Sequence, residues 1–293
     1  MRAFVVLSCL CFAGLLAAGC SENLSGPKEG FFVDDAGRLT LRCPPCTVNE
    51  TLVEHSGNVS IHRVIFAGRQ GDVYAIAALP PAPVAGFVVA PGAGVKKEGY
   101  LPLARQYAEN GYAFLILDVR GNGGETPGYP LDLERDFEKF RAGAWPQYYL
   151  SVCDMSAART FLQERYAIPV YAMGESNGGR YAAIAAETDP AFAGFIGIST
   201  SGFSRSGDAY SGDARRFLLS VDPVTQADLL SSRPSWIFHA PADPVIPFSY
   251  GRELFTALPE PKIFFPFNGT HGSNAAVHEM ILGKCAQIYG TAG

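Results

Sequence analysis

The chain has 293 residues, of which 48% are hydrophobic and 12% aromatic, and its formal net charge is −5. This length suits one large domain, and the apolar content allows a sizeable core, which excludes an intrinsically disordered chain. Charges of both signs are interspersed and form no basic stripe, so nucleic acid is not expected as a partner.

The first 19 residues have the features of a secretory signal peptide. Met1 and Arg2 supply a positive start, and residues 3–18 are apolar or small and uncharged, a run shorter than a typical membrane span. Residues 16–20 resemble the lipobox of prokaryotic lipoproteins, in which the cysteine is acylated, although Ala17 stands where leucine is usual. We therefore expect an exported, extracytoplasmic protein, either held at the membrane by a lipid on Cys20 or released after ordinary cleavage.

Residues 20–59 are expected to form an exported tether ahead of the folded domain. Within it Cys43 and Cys46 form a C-x-x-C motif, and a local disulfide between them would stiffen the segment outside the cytoplasm. A zinc site would need a second ligand pair nearby, which the sequence lacks, so no metal is expected. A thiol oxidoreductase is an alternative, although such motifs normally open a helix after a strand. Cys153 and Cys285 need be no more than buried thiols.

The remaining chain alternates between short apolar runs and helical patterns. A β-hairpin is predicted for residues 60–66 and 72–77. Further strands are predicted at residues 86–90, 113–117, 170–173, 192–199, 236–239 and 262–267, and helices at residues 100–110, 148–166, 178–187, 249–257 and 275–289. This alternation predicts an α/β domain over residues 60–293, with a mostly parallel sheet covered by helices on both faces.

Two stretches interrupt that alternation. A long polar loop is predicted between the strand at 113–117 and the helix at 148–166. Residues 200–232 form an insert that we expect to cap the ligand crevice, which in such sheets lies at the carboxyl ends of the strands. Its apolar residues, among them Phe217 and Leu219, either line an acyl pocket or pack the insert on the body.

Residues 170–180 carry the most informative motif. An apolar run meets Gly174-Glu175-Ser176-Asn177-Gly178, and a small-residue helical pattern follows. This order of strand, sharp turn and helix is typical of a nucleophile elbow, in which the serine hydroxyl projects above the sheet. The amide of Asn177 then lies at a helix N-terminus, where a developing oxyanion is stabilised. The alternative is a plain tight turn.

A serine nucleophile needs a base, and the base needs a carboxylate that holds its tautomer. Of the five histidines only His271 lies in a loop directly after a predicted strand, whereas His239 and His278 are expected to be packed or surface residues. Asp243 follows another strand and precedes His271, although an Asp-Pro pair can simply start a turn. Asp222 offers the same chemistry but lacks a preceding strand.

The second oxyanion donor is expected in the turn after the strand at 86–90. Residues 91–95 are Pro-Gly-Ala-Gly-Val, and small residues allow backbone amides such as that of Ala93 to approach a ligand. The alternative is a simple connection between strand and helix without a catalytic amide.

Together these residues resemble the α/β-hydrolase family over residues 60–293. Ser176, Asp243 and His271 match its nucleophile, acid and base in chain order, and Asn177 and Ala93 match its two oxyanion-hole positions.

Two further positions bear on this resemblance. Residues 118–123 resemble the D-x-R-G-x-G loop of the dienelactone-hydrolase-like and prolyl-oligopeptidase-like branches. Pro91 departs from the family pattern, because many members have histidine before the oxyanion glycine.

The resemblance implies a serine hydrolase that cleaves carboxylic esters through an acyl-enzyme and needs no metal or organic cofactor. Its substrate would be a small-molecule ester or a short peptide. A serine peptidase of the prolyl-oligopeptidase-like type is an alternative, although the chain has no propeller-sized region. A non-catalytic binding protein on the same fold is another.

Overall fold

The computed structural model describes residues 30–290. The predicted signal peptide at residues 1–19 and the predicted lipidation site Cys20 lie outside the described residues. Between residues 30 and 290, no helix has both the length and the apolar character needed to cross a bilayer.

Eleven strands and seven α-helices occur in the described part of the chain. The strands are β1 Gly30–Val33, β2 Leu39–Arg42, β3 Cys46–Ser56, β4 Val59–Gly68, β5 Val73–Leu79, β6 Ala85–Ala90, β7 Tyr112–Leu117, β8 Val170–Glu175, β9 Gly194–Ile198, β10 Ser235–His239 and β11 Lys262–Pro266. The helices are α1 Leu101–Glu109, α2 Leu133–Arg141, α3 Gln147–Tyr166, α4 Asn177–Thr188, α5 Gly212–Ser220, α6 Phe248–Ala257 and α7 Ala275–Tyr289.

Nine of these strands form one central sheet in the order β11-β10-β9-β8-β6-β7-β5-β4-β3. All pairs from β11 to β7 are parallel, and the pairs among β7, β5, β4 and β3 are antiparallel. Every residue of β6, β7, β9 and β10 is buried, because helices cover both faces of a parallel sheet. The predicted α/β architecture is confirmed.

Successive residues of a strand face opposite sides of the sheet, which gives the protein two core layers. In β6, Val88 packs in the layer formed with α3 and α4, and Phe87 packs in the layer formed with α1 and α7. The predicted hairpin is present as the antiparallel pair β4 and β5.

The segment expected to be a tether is folded from residue 30 onward. β1 and β2 form a separate two-stranded sheet, and β3 pairs with β4 as the outer strand of the central sheet. The sheet therefore begins at Cys46, before the predicted domain start at residue 60. After Cys46 every residue of β3 is exposed. This edge strand therefore lacks the alternation of buried and exposed positions by which a strand is recognised in a sequence. Helix α2, within the predicted polar loop, is similarly poor in buried residues.

The predicted Cys43–Cys46 disulfide is wrong. Cys43 is bonded to Cys153 of α3, with their Cα atoms 5.4 Å apart, and Cys46 is a free thiol. Two consecutive prolines separate Cys43 from Cys46, and an extended run of three residues spans about 9 Å, beyond the roughly 7 Å that a disulfide can bridge. Cys153 is therefore not a free thiol. Cys285 is a buried free thiol, as expected.

The insert at residues 200–232 packs its central helix on the body of the protein. Phe217 and Leu219 of α5 are fully buried. The Phe217 ring lies 5.7 Å from that of Phe137 and 5.5 Å from that of Phe140, both in α2. These two side chains therefore contribute to the core rather than line an acyl pocket.

Candidate active site

The turn between β8 and α4 has the geometry of a nucleophile elbow. Ser176 adopts φ +55° and ψ −122°, a conformation that costs a non-glycine residue of the order of 1–3 kcal/mol. A Cβ on Gly174 would lie 2.2 Å from the Gly178 carbonyl oxygen, and one on Gly178 would lie 2.0 Å from the Ala90 carbonyl oxygen. Both flanking glycines are therefore required by sterics, and the predicted strand, sharp turn and helix are confirmed.

Neighbouring strand β9 stabilises the strained residue. The Ser176 N–H donates to the Ile198 carbonyl at 2.9 Å, and the Thr200 hydroxyl donates to the Ser176 carbonyl at 2.7 Å. A Cβ on Gly179 would lie 2.6 Å from the Thr200 side chain, so α4 begins in close contact with the end of β9.

Ser176, His271 and Asp243 meet at one end of the sheet. His271 Nε2 lies 2.9 Å from Ser176 Oγ, and His271 Nδ1 lies 3.0 and 2.9 Å from the two Asp243 carboxylate oxygens. These distances suit an imidazole that donates its Nδ1–H to the carboxylate and accepts the serine O–H at Nε2. Three residues from distant parts of the sequence are thus joined by hydrogen bonds through the His271 imidazole.

The Asp243 carboxylate is held in its ionised form. Its side chain is fully buried, and burial alone would raise its pKa, but N–H donors from Ile246 and Val245, at 2.9 and 2.8 Å, and the His271 imidazole outweigh this effect. The pKa of Asp243 is therefore lowered below its usual value. A charged carboxylate at this position stabilises an imidazolium.

Asp222 and His239, the alternatives to Asp243 and His271 in the candidate triad, make structural contacts. Asp222 accepts N–H bonds from Phe203, Arg205 and Val224, and so organises the insert. His239 is fully buried at the end of β10, where its Nε2 lies 2.9 Å from the Ile246 carbonyl oxygen.

The third histidine, His278, is also buried, and its Nδ1 lies 3.1 Å from the Tyr107 hydroxyl. Burial lowers the pKa of His278 to about 4. Of the two alternatives expected for His239 and His278, packed or surface residues, both are packed.

Both predicted oxyanion donors belong to segments that adjoin Ser176. Asn177 is the first residue of α4, and N–H groups in a first helical turn have no partner within their helix. A Cβ on Gly92 would lie 3.4 Å from Ser176 Cβ, so the turn that contains Ala93 lies against the serine. The Asn122 side chain holds this turn through the carbonyls of Gly92 and Val95, at 2.9 and 3.3 Å.

The loop at residues 118–123 has a supporting role. Asp118 is buried and accepts bonds from the backbone N–H and the ammonium of Lys97, at 2.9 and 2.7 Å. The carboxylates of Glu98, Asp118 and Glu125 lie close enough together to hold a cation, and the Lys97 ammonium contacts all three at 2.7 Å. Burial lowers the pKa of Lys97, but these bonds outweigh it and raise the pKa overall. The protein's own lysine therefore occupies the place that a cation would take.

Several residues around the candidate triad are absent from the sequence-based set. Glu175 accepts the Ser273 N–H at 2.9 Å, Ser199 accepts the Gly272 N–H at 3.1 Å, and Tyr100 lines a cavity together with Glu175. Only Glu175 lies inside a recognisable motif, at a position where the motif allows any residue. No local signal marks the others, because each acts on a segment distant in sequence.

A cavity of about 470 Å³ opens beside the elbow, between the start of α1 and the start of α7. Val95, Tyr100 and Leu103 line one side, Ser273 lines the other, and Glu175 contributes a carboxylate. Its walls include the turn that contains Ala93 and the loop that follows His271.

Comparisons with known proteins agree with this architecture. Residues 81–221 match the family model described as serine aminopeptidase, S33, a range that includes Ser176 and ends before Asp243. No curated protein matches the chain.

Solved structures with similar folds include several esterases. An acetyl xylan esterase from Paenibacillus sp. R4 is 21% identical with a TM-score of 0.65, over 84% of this chain and 89% of that one. Acetyl xylan esterase 1 from Thermoanaerobacterium sp. JW/SL YS485 is 13% identical with a TM-score of 0.66, over 84% and 88% of the two chains. A cold-adapted esterase from an Arctic intertidal metagenomic library is 16% identical with a TM-score of 0.59, over 81% and 98%. The sheet order, the flanking helices and these similarities together identify the protein as one with the α/β-hydrolase fold.

Proposed function

We propose that the protein is a serine hydrolase that cleaves small-molecule carboxylic esters through an acyl-enzyme on Ser176. The observation that carries this proposal is the continuous chain of hydrogen bonds from the Ser176 hydroxyl through the His271 imidazole to the buried Asp243 carboxylate. The strained backbone of Ser176 supports it further, because such strain is concentrated at functional sites.

In the acylation step Ser176 Oγ attacks the ester carbonyl carbon while His271 Nε2 takes the hydroxyl proton. The carbonyl oxygen becomes an oxyanion, which the amides of Asn177 and Ala93 stabilise. The imidazolium that forms is stabilised by Asp243, which stays ionised. When the intermediate collapses, the bond to the alcohol oxygen breaks and His271 gives that oxygen its proton.

Deacylation repeats these steps with a water molecule as the nucleophile. His271 Nε2 removes a proton from a water molecule, whose oxygen attacks the acyl carbon, and the same two amides receive the second oxyanion. Collapse breaks the bond to Ser176 Oγ, which regains its proton from His271. The carboxylic acid is released and the triad returns to its starting state.

Esters are favoured over peptides by the esterases among the similar folds. The alternative, a serine peptidase, is favoured by the description of the matching family model. Both reactions use the same acyl-enzyme, so the leaving group distinguishes them. A panel of aryl esters of graded acyl length beside aminoacyl arylamides would separate them, and we expect turnover of the esters only.

Substitution of the proposed nucleophile tests the reaction type. Ser176→Ala should lower kcat by at least about 10⁴-fold, because losing the nucleophile alone removes most of a triad's contribution. A fluorophosphonate probe should label Ser176 in the wild type. The exposed Ser206 offers a control, since Ser206→Ala should keep both turnover and labelling. Full turnover by Ser176→Ala would refute the acyl-enzyme, and absence of both labelling and turnover in the wild type would favour a binding protein.

We also propose that the protein is exported and carries a lipid on Cys20. The charged start, apolar run and cysteine of the N-terminal sequence support this, as does the Cys43–Cys153 disulfide, since disulfides persist mainly outside the cytoplasm. In a bacterial host, radiolabelled palmitate should be incorporated into the wild type and not into Cys20→Ser. Unlabelled wild-type protein in the extracellular medium would instead indicate ordinary cleavage.

A further inference from the structure

The loop that carries His271 is attached to the sheet immediately after the imidazole. The Gly272 N–H donates to the Ser199 hydroxyl at 3.1 Å, and that hydroxyl donates to the Gly272 carbonyl at 3.4 Å. The next N–H, of Ser273, donates to the Glu175 carboxylate at 2.9 Å. Side chains from the ends of β8 and β9 thus hold consecutive peptide groups of the loop.

The same carboxylate lies near the turn that contains Ala93. Tyr100, Glu175 and Val95 of that turn line one cavity. Glu175 precedes Ser176 in the chain, so its side chain connects the elbow to the histidine loop, beside the oxyanion turn at residues 91–95.

The fit between Glu175 and the histidine loop is close. Gly272 adopts φ +90°, and a Cβ there would lie 3.0 Å from a Glu175 carboxylate oxygen. Ser199 itself adopts φ +46°, an unfavourable conformation for a residue with a side chain, and is completely buried. Residues 267–274 contain no helix or strand, so the position of His271 depends on such contacts.

We propose that Glu175 is a positioning residue that holds the histidine loop against Ser176, with Ser199 as the second attachment of that loop. This inference rests on the proposed serine-hydrolase function. The physical basis is that acyl transfer depends on alignment, and a displacement of about 1 Å can cost about 100-fold in rate.

Two substitutions of Glu175 separate positioning from other roles. Glu175→Ala removes the acceptor of the Ser273 N–H and should lower kcat about 10- to 100-fold, with KM changed less than about threefold. Glu175→Gln keeps an oxygen that can accept the same N–H, and should restore kcat to within about threefold of wild type. The exposed Glu279 of α7 is the control, since Glu279→Ala should leave both constants unchanged.

The second attachment provides an independent variant. Ser199→Ala should also lower kcat more than it raises KM. Because both residues hold one loop, the effect of Glu175→Ala combined with Ser199→Ala should differ from the product of the single effects. Urea midpoints are measured for every variant, and kcat is compared only among those that stay folded at the assay temperature. If Glu175→Ala does not fold, the kcat and KM of Glu175→Gln and Ser199→Ala test the proposed positioning role instead.

Three results would overturn this role for Glu175. Wild-type kcat in folded Glu175→Ala would show that the attachment is unnecessary. Equal losses in Glu175→Gln and Glu175→Ala would indicate that the negative charge matters rather than the hydrogen bond. A change confined to KM would indicate contact with substrate in the adjoining cavity. If the wild type itself neither hydrolyses esters nor reacts with a fluorophosphonate, the proposed function fails and this role fails with it.

Discussion

At the scale of single residues, the site depends on groups held in otherwise unfavourable states. Ser176 has a strained backbone that glycines at 174 and 178 make sterically possible. Asp243 is a buried carboxylate whose charge is retained because N–H groups surround it. In the proposed reaction, both arrangements would prepare charge and geometry before a substrate binds, and such preorganisation is usually the largest source of rate enhancement in acyl transfer.

Removing the Asp243 charge should disable the proposed base. In Asp243→Asn the carboxamide oxygen can still accept the N–H groups of Val245 and Ile246, while its NH₂ group faces His271 Nδ1. The imidazole would then carry its proton on Nε2 and could not accept one from Ser176. We expect kcat to fall about 10³- to 10⁴-fold with little change in KM. Steady-state ester hydrolysis measures this, and a loss below tenfold would contradict the assignment of Asp243 as the acid.

At the scale of elements, the order of strands explains how distant residues converge. Ser176 follows β8, Asp243 lies four residues beyond the end of β10, and His271 follows β11. These parallel strands occupy one half of the sheet, so their carboxyl ends share one edge. β9, between β8 and β10, ends next to Ser199 and Thr200, which bond to the histidine loop and the elbow.

The N-terminal strands are connected to the helical layer by a disulfide, whose removal should destabilise the protein. Cys43 and Cys153 are separated by 110 residues, and breaking a crosslink over so long a loop should lower the free energy of unfolding by about 2–5 kcal/mol. Cys43→Ser should show this loss in a urea titration. Cys46→Ser, which removes a free thiol three residues away, is the matched control and should unfold near the wild-type midpoint. Equal stability of the two variants would argue against the Cys43–Cys153 pairing.

At the scale of the whole molecule, two core layers enclose the sheet, and buried polar groups couple the stability of these layers to pH. In the layer formed with α1 and α7, His278 is 4% exposed and contacts the Tyr107 hydroxyl. Its pKa is about 4 in the folded state against an ordinary 6.5, because burial disfavours the charged form. The unfolded chain therefore binds an additional proton between these two values, and folding stability must decrease as the pH falls through that interval.

The His278 contribution can be isolated by substitution. Between pH 7 and pH 5 the wild type should lose about 2 kcal/mol of unfolding free energy through this residue. In His278→Asn an amide oxygen can replace Nδ1 as the partner of Tyr107, and residue 278 no longer titrates. The difference between the two proteins should therefore shrink or reverse as the pH falls. Urea titrations at both pH values measure it, and parallel pH profiles would contradict the assigned shift.

Local patterns were sufficient to predict much of the fold and the candidate triad. Buried parallel strands appear as apolar runs, and the sterics of a sharp turn demand glycines around Ser176, so short stretches of sequence carry these signals. His271 and Asp243 were predicted from their positions just after strands. These inferences required only the chain order and the rule that parallel strands end at one edge.

Other features were decided only by the tertiary structure. Cys43 bonds to Cys153 rather than to its near neighbour, the exposed strand β3 extends the sheet, and Lys97 occupies a cluster of three carboxylates. The bond from Ser273 to Glu175 joins residues 98 positions apart. Periodicity and turn chemistry act over a few residues, whereas these contacts depend on which strands become neighbours. That choice is made by packing of the whole chain, and the sequence alone does not display it.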